Sequence, residues 1–164
     1  MKQLLQNVRS GEMQIEEVPA PSPRPGCVVV RNYCSLVSAG TERAVVEFAH
    51  QSLVGKARGR PDLVREVMNK ARRDGVLATL QVVNSRFDQR IVLGYSCAGI
   101  VVAVGEGVTA FQVNDRVACA GAGYAVHAES VNVPKNLVVK LPDGVGFESA
   151  AFTTLGSIAL HGLD

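Results

Sequence analysis

Tryptophan is absent from the 164 residues, aromatic side chains make up only 5% of them, and no two of the four cysteines form a C-x-x-C pair. Cys27, Cys34, Cys97 and Cys119 are spread along the chain without paired spacing, and the opening MKQLLQNVRSGEM lacks the apolar run of a secretory signal. Together these absences point to four reduced thiols in a cytoplasmic protein, each filling space as a small buried side chain. No apolar segment approaches the roughly 18 to 20 residues that cross a bilayer, which excludes an integral membrane helix. A large charge of one sign is missing too: 17 Lys plus Arg against 15 Asp plus Glu leave +2, too little to build a nucleic-acid-binding field.

The remainder has the composition of a globular domain, 47% hydrophobic and 20% charged. The length fits one domain of the usual size, about 100 to 200 residues, with room for a buried core.

Three textures follow one another. Residues 1 to 42 read as β structure. QIEEVPAPSPRPG alternates and then breaks into a proline-rich connection, after which CVVVRNYCSLVS gives a β-branched run suited to a buried strand. From about residue 43 to 90, TERAVVEFAHQSLVG and PDLVREVMNKARRDG carry apolar residues at helical spacing, with Pro61 placed to open the second helix and Gly75 to close it. This region is rich in Lys and Arg. It reads either as a docking surface for an anionic substrate or as a solvated face balanced by Glu47, Asp62, Glu66 and Asp74. From Ile91 the β texture returns in short strands separated by GEG, VND, GAG and PKN, a spacing that predicts a compact, strongly bent sheet or small barrel. GFESAAFTTLGSIALHGLD closes the sequence as a helix.

The most specific pattern is G-x-V-x-x-V-G-x-x-V-x-x-F-x-x-x-D-R-V from Gly99 to Val117. Gly99 suits a close backbone crossing, Gly105 and Gly107 bracket a hairpin turn, and Asp115 and Arg116 place charges where the next strand begins.

The succession VVVRNYCSLVSAGTE, LGYSCAGIVVAVGEGVTAFQVNDRV and GYAVHAESVNVPKNLVVKLPDGVGFESAAF is similar to the N-terminal catalytic domain of the medium-chain dehydrogenases and reductases. The resemblance implies a mainly β domain with helices (α+β), a GroES-like partly open β-barrel with a two-helix insertion. Residues 1–164 then form one substrate domain, with 43–90 as the insertion and 147–164 as a terminal helix directed toward a Rossmann domain.

Zinc-dependent members that this sequence resembles carry a Cys at the end of the first long strand and Gly-His-Glu at the start of the second block. Here Ser38 stands at the Cys and Tyr95 at the His, within Gly94-Tyr95-Ser96. Neither is a usual zinc ligand. A third ligand would fall around Thr154 to Gly156, where no Cys, His or carboxylate occurs, and of the four close cysteines of a structural zinc loop only Cys119 is present. His50, His127 and His161 share no ligand-like spacing and read as surface or packing residues.

The resemblance therefore implies no metal, and a zinc-independent oxidoreductase in which NAD or NADP supplies or accepts the hydride. Tyr95 and Ser38 become the candidate catalytic residues. A phenol facing a developing alkoxide can act as a general acid or oxyanion donor, or it can simply fill the space the His leaves. Thr41 and Ser96 are the candidate substrate contacts, with Thr41 reading more readily as a local turn cap. Thr153 and Thr154 lie where the family's helix approaches the nicotinamide.

The form SAGTE, basic insertion, LGYSCAG and AAFTTLGSIALHG resembles the zinc-lacking branch joined to a glucose-fructose-oxidoreductase-like half, which implies a nucleotide-linked or glycosyl substrate. The Rossmann phosphate loop G-x-G-x-x-G is not found, so the expectation is a domain of a longer enzyme. The partners expected are a small-molecule substrate and that Rossmann domain, with homo-oligomer formation left open and neither nucleic acid nor membrane involved. The competing expectation is a stand-alone GroES-like binding or scaffold module.

Overall fold

The computed structural model describes residues 1–8, 10–41 and 90–163, together with Arg43, Arg65, Met68, Asn69, Arg72, Arg73 and Gly75. The two-helix insertion expected over 43–90 lies almost wholly outside the described residues. Two compact units divide the chain: Met1–Leu5, Gln14–Ser38 and Val92–Asp164 form the larger, Gln6–Met13 and Ala39–Ile91 the smaller.

Among the described residues eight strands run in chain order: β1 (Lys2–Asn7), β2 (Met13–Glu17), β3 (Cys27–Ser35), β4 (Arg90–Val92), β5 (Ser96–Val104), β6 (Arg116–Ala120), β7 (Ser130–Pro134) and β8 (Val138–Lys140), the last two joined by a 3-10 turn at Lys135–Leu137. After β8, among the described residues, come the helices α1 (Phe147–Ala150) and α2 (Thr153–His161). The fold is mainly β with a few helices, the GroES-like α+β class expected from the sequence. Among the described residues no helix is long and apolar enough to cross a membrane.

The larger unit is built on a five-stranded antiparallel sheet of order β7-β3-β5-β6-β8, curled into a half-barrel. Its curl has a local cause, since the β3–β5 register shifts twice, between Val29 and Val30 and between Asn32 and Cys34, and each extra residue sharpens the strand's twist.

The two faces of the sheet are sorted by side-chain size. Val28, Val30, Cys97, Val101, Val117, Cys119, Val131 and Val133 point to one side and form the main core with Val126. Each valine so buried contributes about 1.5 to 3 kcal/mol. Ala98 and Ala118, one residue out of phase with Cys97 and Cys119, point to the other side, where they meet Ala150 and Ala151. Methyl groups on both surfaces let α1 lie close to the strands.

Cys97 and Cys119 are paired across β5 and β6 and both are buried thiols. The hydrogen bond with Cys97, reinforced by burial, pushes the Cys119 thiol far above the ordinary thiol range.

Gly99 pairs with Asn32 where the two central strands press together, and a Cβ there would stand 2.1 Å from the Arg31 carbonyl oxygen. The close crossing expected from the sequence is present.

The charges at the start of β6 separate. Asp115 pairs with Lys140 at 2.8 Å and accepts a hydrogen bond from the Gln112 amide, whereas Arg116 lies 4.8 Å over the Phe147 ring and donates to the Val145 carbonyl. Burial works to raise the Asp115 pKa, but the Lys140 hydrogen bond, the Gln112 amide and the Lys140 charge outweigh it and hold the carboxyl below its usual value. A lowered folded pKa gives stability that is present above the ordinary carboxylate pKa of about 4 and lost as pH falls through the lowered value. Asp115→Asn is therefore expected to cost about 1 kcal/mol at pH 7, the scale of a well-placed surface pair. In urea unfolding the difference should close once both folded proteins are fully protonated in acid, and a difference independent of pH would assign the loss to packing.

Candidate functional site

Three segments of the larger unit meet around Tyr95. The end of β3 continues through Leu36 and Val37 to Ser38. The bend Leu93-Gly94-Tyr95 leads into β5, and the loop from Gly121 follows β6.

Backbone bonds tie them together: Leu36 N–H donates to the Ser96 carbonyl at 2.9 Å, Gly121 N–H to the Tyr95 carbonyl at 2.8 Å, and His127 N–H to the Leu93 carbonyl at 2.8 Å. Tyr95 is thus held on three sides by main chain, and the Leu36–Ser96 bond brings the chain carrying Ser38 beside the chain carrying Tyr95. Both side chains are half-buried. Among the described residues the Tyr95 phenol has no hydrogen-bond partner.

The other sequence candidates divide. Ser96 is buried and its hydroxyl donates to the Ala151 carbonyl at 2.6 Å, so its proton fastens β5 to the helical segment. Thr153 Oγ1 donates to the Ala150 carbonyl at 2.7 Å. These two side chains occupy the carbonyls of Ala150 and Ala151, which accounts for the break between α1 and α2: hydroxyls compete with helical amides for the same acceptors. Thr154 Oγ1 is buried without a partner among the described residues. Thr41 belongs to the smaller unit and is exposed.

His127 is a residue that the sequence reading set aside. Its Nδ1 lies 2.8 Å from Ser35 Oγ, and its ring packs on Gly94. The partners are 92 residues apart, a distance at which spacing carries no signal. A shallow groove of about 370 Å³ opens on this side, lined among others by Leu4, Ile15, Asn32, Tyr33, Ser35 and His127. None of the candidate residues read from the sequence lines it.

The donor set at Ser38 and Tyr95 consists of a hydroxyl and a phenol, and among the described residues no three of His, Cys, Asp and Glu converge to hold a metal ion. What the arrangement offers chemically is a phenol on held backbone and a serine on the adjoining chain. Helix α2 leaves Ile158 (62%) and Leu160 (65%) exposed, an apolar face bare of partners among the described residues.

Comparison with known proteins places these features. The model of the alcohol dehydrogenase GroES-like domain matches residues 63–143. A quinone oxidoreductase of Pseudomonas aeruginosa is 44% identical over 63 residues, 38% of this chain and 19% of that protein. Among solved structures, Escherichia coli quinone oxidoreductase complexed with NADPH superposes with a TM-score of 0.65 at 19% identity, covering 99% of this chain and 40% of that one. Galactitol-1-phosphate dehydrogenase of the same organism gives 0.67 at 18% identity, covering 98% and 44%. The matches thus span from 2% to 19% of the curated relatives, and the chain spans about two fifths of these solved structures.

Proposed function

We propose, from the premise that this chain carries the alcohol dehydrogenase GroES-like domain of the medium-chain dehydrogenase/reductase superfamily, that it is the substrate-side domain of an NAD(P)-dependent oxidoreductase working without zinc. The observation that carries this reading is the Tyr95 phenol, unpartnered among the described residues and held on backbone that is bonded on three sides. A phenol free of other hydrogen bonds, carried on backbone that is held in place, is suited to serve as a general acid.

In the complete enzyme the nicotinamide supplies or accepts the hydride. In the reductive direction this chain's part is to place the substrate carbonyl within reach of Tyr95, whose O–H gives its proton to the oxygen as negative charge develops there. Ser38 steadies the same oxygen with a second hydrogen bond. Thr154 Oγ1, buried and unpartnered among the described residues, is the hydroxyl best suited to meet the nicotinamide side, because the Thr153 hydroxyl is already spent on Ala150. The bare face of α2 is where a Rossmann domain would pack, since an exposed apolar patch of this kind marks an interface.

The substrate is a carbonyl or hydroxyl compound. A glycosyl or nucleotide-linked sugar is the finer reading, supported by the resemblance to the zinc-lacking two-part branch. The 44% identical stretch shared with a quinone oxidoreductase makes a quinone the comparison substrate.

The test is oxidation of NADPH and NADH by the full-length protein, purified in chelator and assayed against quinones and nucleotide-sugars. Turnover that persists with substoichiometric zinc is the expected result. Activity that disappears with the chelator and returns with zinc would overturn the zinc-independent mechanism.

A further inference from the structure

His127 is fixed in place before its ring is considered. Its N–H donates to the Leu93 carbonyl at 2.8 Å and its own carbonyl accepts from Leu4 N–H at 2.9 Å. The Asn32 amide donates to the carbonyls on either side of it, Val126 at 3.3 Å and Ala128 at 2.8 Å. With the main chain so restrained, only the two side-chain torsions remain to aim the imidazole.

The ring is aimed at two segments together. Nδ1 meets Ser35 Oγ at 2.8 Å at the end of β3. The ring edge lies on Gly94, where a Cβ would stand 2.9 Å from His127 N and 3.0 Å from both Nδ1 and Cε1. Gly94 has φ +94°, a conformation that L side chains rarely adopt, so the backbone also requires glycine where the imidazole needs the room.

These two segments are the ones that carry the candidate chemistry. Ser35 precedes Ser38 by three residues, and Gly94 immediately precedes Tyr95. The Leu36–Ser96 backbone bond joins the same segments at a second point. Main chain thus ties them on one side of Tyr95 and the imidazole ties them on the other.

We propose that His127 is the positioning residue that holds Ser38 and Tyr95 in fixed relation, an inference that rests on reading those two as the substrate-facing pair. It touches neither side chain in this role; it acts through Ser35 and Gly94. Serine hydroxyl and imidazole exchange one hydrogen bond, and the imidazole also packs on Gly94, so removing Ser35 releases part of the restraint and removing it in addition to His127 releases nothing more.

The test uses this chain with tyrosine 13C-labelled at Cζ alone, whose three signals belong to Tyr33, Tyr95 and Tyr124 and are assigned by Tyr→Phe variants. Ser35→Ala, at an exposed position where folding is safe, and His127→Ala should each shift the Tyr95 signal. The double variant should shift it no further than His127→Ala alone. His127→Asn, whose amide can still reach Ser35, should return most of the shift. Folded Ser35→Ala and His127→Ala chains with an unmoved Tyr95 signal would overturn the proposal.

In the full-length oxidoreductase, His127→Ala should lower kcat about 10- to 100-fold, the scale of an ångström-sized displacement, with KM little changed and recovery in His127→Asn. A Tyr95 shift with kcat unchanged would keep the coupling and retire the catalytic reading of Tyr95, so the two failures are told apart.

Discussion

Gly99→Ala is expected to destabilise the larger unit by at least about 3 kcal/mol, the upper range for forcing a methyl group into packed structure. The added Cβ would lie 2.1 Å from the Arg31 carbonyl oxygen, 2.9 Å from its carbon and 3.0 Å from Asn32 Cα. All three are backbone atoms of β3, so no side chain can swing aside. Nor can the strand retreat, because β3 is hydrogen-bonded to β5 on one side and β7 on the other while its Val28 and Val30 sit in the core. Gly107→Ala is the control: with φ +74° and open space around its Cβ, it bears only the left-handed backbone penalty of about 1 kcal/mol. Urea midpoints for the two variants measure the contrast. Equal midpoints would mean that β3 and β5 separate more readily than their register implies.

If the proposed function holds, Tyr95→Phe in the full-length protein is expected to lower kcat roughly a hundredfold or more, as loss of a proton donor does, while KM and the melting temperature stay close to those of the parent. The ring remains to fill its space, and the phenol oxygen removed has no hydrogen-bond partner among the described residues whose loss would weaken the fold. That separation decides between the two readings of Tyr95. A residue that merely fills space gives unchanged turnover in Tyr95→Phe, and a residue that only binds substrate gives a raised KM with kcat intact.

Much of the architecture was legible because it is written in local patterns. The β-branched run from Cys27 predicts β3, and the glycine and valine spacing from Gly99 to Val117 predicts the hairpin between β5 and β6. Gly99 itself signalled the close crossing. What escaped the sequence depends on contacts between distant residues. Ser96 reads as a substrate contact until the fold brings Ala151, 55 residues later, within reach of its hydroxyl. The adjacent Asp115 and Arg116 look like one unit, yet alternate pleating sends one to Lys140 and the other to Phe147. His127 carries no spacing signal, because its partner Ser35 belongs to a strand at the opposite end of the chain. The apolar helix residues told only that a face exists; that Ile158 and Leu160 lie bare among the described residues required the fold.

The buried thiol pair of β5 and β6 gives the chain a built-in reporter of its own opening. Cys119, sealed beside Cys97 and kept protonated, presents no nucleophile to an alkylating reagent while the sheet is closed. Cys27 and Cys34 are only partly covered and supply the reference signal within the same molecule. Alkylation of Cys97 and Cys119 by excess iodoacetamide, followed over time by mass spectrometry, would therefore mark each opening of the sheet, turning a feature of the core into a clock for the half-barrel's coming apart.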